Sequence, residues 1–351
     1  MPEESFERLL IIRFSSFGDV AQAAGIPLAF RSVFPKAKVD WLVRSEFADL
    51  LEGHPALAQV IRFERAQGLS GLIRLAWRLA QPDSYSHVYD ANSNLRSHLI
   101  MFIFRIRSLG RGVRFLTRPK YRFKRWLFFK LRLPVFPTPY RGAESFIWPL
   151  RKWAIQPLSF SQPILKSSRE LPIDIALEIG RLPRPLIALA PSAAWPMKRW
   201  PIAHWRWLIE DLDFAGIVLF GGREDVFLED LVAEAPLRVL NLAGRLSLGE
   251  SQRVLAEADL VIANDTGLLH LADQMERPAL ALIGPTAFGY PSHRTSRTLE
   301  IDLWCKPCTK DGRGRCRNDL YQRCLVDLRP ETVAQVAREV LRAPATRGEY
   351  S

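Results

Sequence analysis

Residues 263–272, ANDTGLLHLA, hold the most specific chemistry in this chain. Asp265 and Thr266 leave the apolar run Leu260-Val261-Ile262-Ala263 just where helix-forming residues begin. A helix N-terminus, with its unpaired N–H groups, is therefore placed at the end of a strand, and such an end binds phosphate without needing basic side chains. Gly267 lets a ligand approach the backbone, and His270 follows one turn later. The competing reading is that Asp265 or Thr266 only caps the helix and that His270 is a satisfied core residue. The length of the string favours a ligand.

Two further groups invite chemistry. Asp19 closes the loop Ser15-Ser16-Phe17-Gly18 after a first apolar strand at residues 9–14. That is the sheet edge where ligands sit in open α/β folds. From residue type alone, a proton-accepting carboxylate and a helix cap are both open readings of Asp19. The four cysteines fall in one stretch with the pattern Cys305-x2-Cys308-x7-Cys316-x7-Cys324. One close pair and two outliers are compatible with a tetrahedral thiolate site for zinc or with an iron-sulfur cluster, but two intervals of seven are not zinc-ribbon spacing. Reduced, unligated thiols are the alternative. Arg313, Arg315, Arg317 and Arg323 would also suit a nucleic-acid-binding ribbon, against which two full α/β halves argue.

The elements that must position these residues alternate between strand and helix. Strands are predicted at residues 9–14, 39–43, 87–90, 186–190, 216–220, 260–263 and 279–283. Helices are predicted at 20–34, 45–51, 202–212, 224–234, 247–258, 267–274 and 330–341. Strand, helix, strand at this spacing means parallel sheets with crossover helices. The proline-rich stretch from Pro163 to Pro185 marks irregular chain, with Phe136-Pro137-Thr138-Pro139 and Gln156-Pro157 before it. A domain boundary is expected within residues 160–182.

The 351 residues suffice for two domains of about 150 each, and 48% hydrophobic residues exclude wholesale disorder. No apolar run approaches the roughly 18 residues of a membrane span. The acidic start Met1-Pro2-Glu3-Glu4 is unlike a signal peptide, so a cytoplasmic protein is expected. A nicotinamide enzyme would need Gly-x-Gly-x-x-Gly after its first strand, which neither Gly110-x-Gly112 nor Gly312-x-Gly314 completes. The formal charge of +12 predicts an anionic partner. From Arg96 to Arg132 there are twelve Lys or Arg and no acid, with aromatics interleaved in Tyr121-Arg122-Phe123-Lys124-Arg125-Trp126-Leu127-Phe128-Phe129-Lys130. A basic amphipathic helix there suits an anionic bilayer or a phosphorylated glycolipid. By periodicity alone, an ordinary helix with its aromatics toward the core fits equally.

Taken together, Asp265-Thr266-Gly267 with His270, the Ser15–Asp19 loop and Lys198-Arg199-Trp200-Pro201 resemble glycosyltransferase family 9, the ADP-heptose:lipopolysaccharide heptosyltransferases and their relatives. The resemblance runs from about Leu9 to Leu341. It implies an α/β GT-B fold, two Rossmann-like domains with parallel sheets facing a central cleft. Residues 1–165 would bind the acceptor, 182–328 the nucleotide sugar, and 329–351 form a C-terminal helix and tail. It implies an inverting transferase with Asp19 as general base beside Ser15, Ser16 and Gly18. Lys198, Asp265, Thr266, Gly267 and His270 would hold the ADP phosphates. The acidic residue after Gly221-Gly222 that meets the ribose would be Asp225, with Glu224 a close second. Where the family often has a hydroxyl pair before the lysine, this chain has Pro191-Ser192-Ala193-Ala194-Trp195-Pro196, so only Ser192 offers a hydroxyl and Trp195 adds bulk that could select a different sugar. The implied partners are ADP-heptose, a lipid-linked lipopolysaccharide core and the anionic inner face of the inner membrane, with no nucleic acid. No cofactor is needed for transfer, and any metal at the cysteines would be structural.

Overall fold

A computed structural model describes residues 7–156, 162–167 and 169–343. The acidic start at residues 1–4, Pro157 and the tail beyond Ala343 lie outside the described residues. The described chain divides into two compact units, the first running to Phe136 and resuming at Arg141, the second taking in Pro137–Tyr140 and everything from Arg169 onward.

The first unit is built on five parallel strands, β1 (Arg8–Ile12), β2 (Lys38–Arg44), β3 (Gln59–Phe63), β4 (His87–Asp90) and β5 (Arg114–Thr117), in the order β3-β2-β1-β4-β5. Leu9 to Ile12 are wholly buried, as a central parallel strand covered on both faces must be. Leu10, Ile12, Leu42 and Val88 meet Leu72, Ala76, Ile100 and Phe104 from helices Gly68–Leu79 and Leu95–Arg107. The single helix expected at 20–34 is two, Phe17–Ala23 and Gly25–Val33. Pro27 is the reason. It lacks an N–H to donate, so it is accommodated in the first turn of a new helix rather than within a continuous one.

In the second unit the six parallel strands are β6 (Leu186–Ala190), β7 (Gly216–Leu219), β8 (Val239–Asn241), β9 (Leu260–Asn264), β10 (Ala279–Leu282) and β11 (Ser296–Leu299), ordered β11-β10-β9-β6-β7-β8. Ile187, Leu189, Ile217, Ile262 and Leu280 form the sheet side of its core, closed by Trp205, Leu208 and the C-terminal helix Pro330–Arg342 through Val333, Ala334 and Ala337. Fully burying a side chain of this size is worth about 1.5–3 kcal/mol. The proline-rich stretch contains a helix that its sequence hid, Ile173–Gly180, entered through Pro172. The helix expected at 224–234 begins only at Leu228, because the Asp225 carboxylate turns back to accept from Gly222 N at 2.8 Å and stabilises a turn instead.

Candidate active site

Strand order decides where ligands can sit. In the second unit the direction of winding reverses between β6 and β9, and the loops leaving the carboxyl ends of two such strands frame a crevice. Asn264, the last residue of β9 and fully buried, joins those loops: its Oδ1 accepts from Trp200 N at 3.1 Å and its Nδ2 donates to Pro191 O at 2.8 Å. The β6 loop then carries Lys198 at the end of the short turn Pro196–Lys198, with Nζ 3.0 Å from Asp265 Oδ2. The same oxygen accepts from Thr286 Oγ1 at 2.6 Å, and His270 Nε2 lies 3.5 Å from Oδ1. Burial alone would raise the Asp265 carboxyl, but Lys198, His270 and Thr286 outweigh it and hold the group far below the usual carboxylate range. Asp265 is therefore an anion at neutral pH. Gly289 closes over it, since a Cβ there would stand 2.2 Å from the carboxylate carbon.

Helix Gly267–Gln274 starts from Thr266, yet neither neighbour performs the capping that residue type suggested. Thr266 makes no side-chain cap bond, and its buried Oγ1 has no hydrogen-bond partner. Asp265 is committed to Lys198 and Thr286. A buried hydroxyl left without a partner is costly, which makes Thr266 Oγ1 a natural donor to a bound anion. Asp225 is buried on the Gly221-Gly222 turn, with Arg199 Nη2 3.9 Å from its Oδ1. Ser192 is half-buried in the β6 loop.

The first unit reverses between β1 and β4, and the Ser15–Asp19 loop leaves β1 at that point. Ser15 and Gly18 are half-buried, while Ser16 precedes helix Phe17–Ala23 and donates through Oγ to Asp19 Oδ2 at 3.1 Å. Asp19 stands in the first turn, where its carboxylate accepts from the Ser16 backbone N–H and pairs with the buried Arg13. Arg13 Nη1 is anchored on Ala91 O at 2.8 Å, and Arg118 lies over the Phe146 ring at 3.8 Å with Nη2 on Ser145 Oγ at 2.8 Å. Desolvation pushes the Asp19 carboxyl up, but Arg13, Arg118 and Ser16 more than offset it, leaving it below the usual carboxylate range. With its side chain 41% exposed, Asp19 is an ionised acceptor that a hydroxyl can reach. Arg13, Arg118, Asn264, Thr286 and Gly289 were not singled out by residue type. An arginine ending the apolar run of β1 was the one available signal for Arg13.

No disulfide joins the four cysteines. They are near enough to raise one another: burial, then Cys305 and Cys316, lift Cys308, and burial pushes Cys324 up to about 12. Among the described residues, however, no three His, Cys, Asp or Glu are placed to hold a metal ion, so the zinc or iron-sulfur reading of Cys305, Cys308, Cys316 and Cys324 does not fit this geometry. The basic segment forms helix Arg122–Lys130, which buries none of its residues. Phe123 and Trp126 are 71% and 50% exposed and stack on each other at 6.1 Å, so the alternative in which the aromatics all face the core does not hold. Phe128 does turn inward, edge-on to Phe136 at 5.6 Å. Among the described residues no helix is long and apolar enough to cross a membrane.

Comparison with known proteins bears on the fold and on the family resemblance. Residues 158–318 match the model of glycosyltransferase family 9 (heptosyltransferase). The lipopolysaccharide heptosyltransferase 1 of Pseudomonas aeruginosa is 28% identical over 97% of this chain and 99% of its own length. A family 9 glycosyl transferase of Veillonella parvula superposes with a TM-score of 0.72 at 18% identity, covering 95% of this chain and 97% of that one. The E. coli heptosyltransferase WaaC with ADP superposes at 0.65 with 23% identity, covering 95% and 99%. The two parallel-sheet units are those of the GT-B fold, and the chain is similar to glycosyltransferase family 9, whose model matches residues 158–318.

Proposed function

We propose that this chain transfers heptose from ADP-heptose to the lipopolysaccharide inner core, with inversion at the anomeric carbon. The observation that carries the reading is the arrangement in the second unit that sets Lys198 and His270 on one buried carboxylate beside the unpartnered Thr266 hydroxyl. A carboxylate does not attract a phosphate. Asp265 instead fixes Lys198, whose ammonium offsets the charge that grows on the departing diphosphate. An acceptor hydroxyl attacks the anomeric carbon as the bond from that carbon to the diphosphate oxygen breaks, and its proton passes to Asp19. One base suffices for this displacement, which involves no covalent intermediate and no cofactor. Arg13 and Arg118 would meet an anionic acceptor beside Asp19. Asp225 would take the ribose, Ser192 and Gly267 would border the donor, and Ser15, Ser16 and Gly18 would line the acceptor side.

The relatives' names support heptose as the sugar. The decisive measurement is release of ADP that depends on both ADP-heptose and a lipid-linked core acceptor. Equal or faster turnover with another nucleotide sugar would instead assign the bulk of Trp195 to a different donor, and no release with any donor would make the chain a binder.

The acceptor places the enzyme at the cytoplasmic face of the inner membrane, held by helix Arg122–Lys130. Its exposed Phe123–Trp126 pair would enter the headgroup layer while Lys124, Arg125 and Lys130 meet anionic lipid, each base contributing about 1 kcal/mol near such a surface. Co-sedimentation with anionic vesicles should fall by at least about tenfold when all three become Ala, and more steeply at low salt. Failure of the wild-type protein to bind anionic vesicles would refute this anchor.

A further inference from the structure

The cysteine-bearing segment has no role in the transfer just described, yet it is built against the donor loop. Gly312 has φ +90°, and a Cβ there would stand 2.6 Å from Lys198 Cγ, 2.8 Å from Cδ and 3.1 Å from Trp195 Cβ. Its turn is set by Thr309, whose Oγ1 accepts from Gly312 N at 3.1 Å and donates to Arg313 O at 2.9 Å. The backbone of Thr309 also bridges to Thr286, the residue that donates to Asp265. Two more contacts grip the turn before Lys198: Arg313 lies over the Trp195 ring at 4.6 Å, and Gln322 Nε2 donates to Pro196 O at 2.6 Å. The segment thus touches Lys198 and, through Thr286, the carboxylate that Lys198 faces.

We propose that Gly312 and Gln322 are positioning residues for the donor diphosphate, acting through Lys198. This rests on the reading of Lys198 as a diphosphate ligand. The bare backbone at Gly312 is the wall along which the lysine stem runs. Cγ and Cδ are the middle carbons of that stem rather than its free end, so displacing them redirects Nζ away from Asp265 and from a bound phosphate. Gln322 holds the carbonyl of Pro196 and with it the turn from which the stem departs.

The test is calorimetry of ADP binding to the full chain, with thermal unfolding recorded for every variant. Gly312→Ala should weaken ADP about tenfold. Gly314→Ala is the control, because Gly314 has φ +105° and nothing within 4 Å of a Cβ, so it carries a comparable backbone penalty without the obstacle. It should bind within about twofold of wild type. Gln322→Leu should weaken ADP about threefold and gives the same reading if Gly312→Ala does not fold. In a Lys198→Ala background both substitutions should have no further effect. Equal losses in Gly312→Ala and Gly314→Ala, or losses that persist without Lys198, would overturn the proposal. If Lys198→Ala weakens ADP while Gly312→Ala and Gln322→Leu do not, the proposal falls and the donor site stands. Wild-type affinity in Lys198→Ala, or no ADP binding by the wild-type chain, would remove both.

Discussion

Asp19→Asn should cut transfer by about 100- to 10,000-fold under saturating donor, the range expected for loss of a general base, while ADP affinity stays at the wild-type value. Asparagine keeps the shape of the side chain and an oxygen for Arg13 and Ser16, but it cannot take the acceptor proton. A purely structural Asp19 would give the reverse, a lowered melting point with turnover near normal. The pH profile provides a second reading. The base works when ionised, and Arg13, Arg118 and Ser16 hold its carboxyl below the ordinary range. The acid limb of kcat/KM should therefore lie below pH ~4, the ordinary aspartate value. Removing the nearer cation with Arg13→Met leaves desolvation less opposed, so the limb should move upward. Near-wild-type transfer by Asp19→Asn would mean that another group takes the proton.

For Lys198→Ala the expected result is a loss of ADP affinity of about 10- to 100-fold, the worth of a hydrogen bond to a charged group, and a further fall in kcat as leaving-group charge goes uncompensated. Asp265→Ala should do this and also destabilise the fold by about 3–5 kcal/mol, because Lys198, His270 and Thr286 lose their shared acceptor within the protein. The sign of the pH effect follows from the lowered carboxyl of Asp265. Its stabilising contribution is complete above the unfolded aspartate value of about 4 and is lost progressively as pH falls below it. The wild-type melting point should consequently drop more steeply below pH 4 than that of Asp265→Asn. Calorimetry showing unchanged ADP affinity in both Lys198→Ala and Asp265→Ala would place the diphosphate elsewhere.

Much of this architecture is local in origin, and local signals were readable. Uninterrupted runs such as Leu186–Ala190 and Leu260–Ala263 announce buried parallel strands, and the Asp-Thr-Gly turn announces the helix at Gly267. The strands that left no such trace are those near the sheet margins. In β3 the sequence is Gln-Val-Ile-Arg-Phe, in β11 Ser-Arg-Thr-Leu, and β8 has three residues. An edge strand is half solvated and kept short or polar, so it lacks the pattern that marks a central one. Helix Leu95–Arg107 was hidden differently: Leu95, Phe102 and Ile106 are exposed, which blurs the amphipathic period.

What the chain determined by itself is the alternation of strand and helix, the turn chemistry at Asp19 and at Asp265-Thr266-Gly267, and the types of charge available to them. Local periodicity and capping preference are properties of neighbouring residues and survive without a partner. The assignment of those charges to one another belongs to the tertiary structure. Sheet order alone puts β6 beside β9, so that Asn264 can tie two loops and Lys198 can face Asp265 across 67 positions of sequence. It likewise brings Arg118 to Phe146 and Asp19. Thr286 and Gly289 acquire meaning only where their loop closes over Asp265. A carboxylate, a lysine and an orphaned hydroxyl become a site when burial strengthens their mutual field, and burial is set by distant chain.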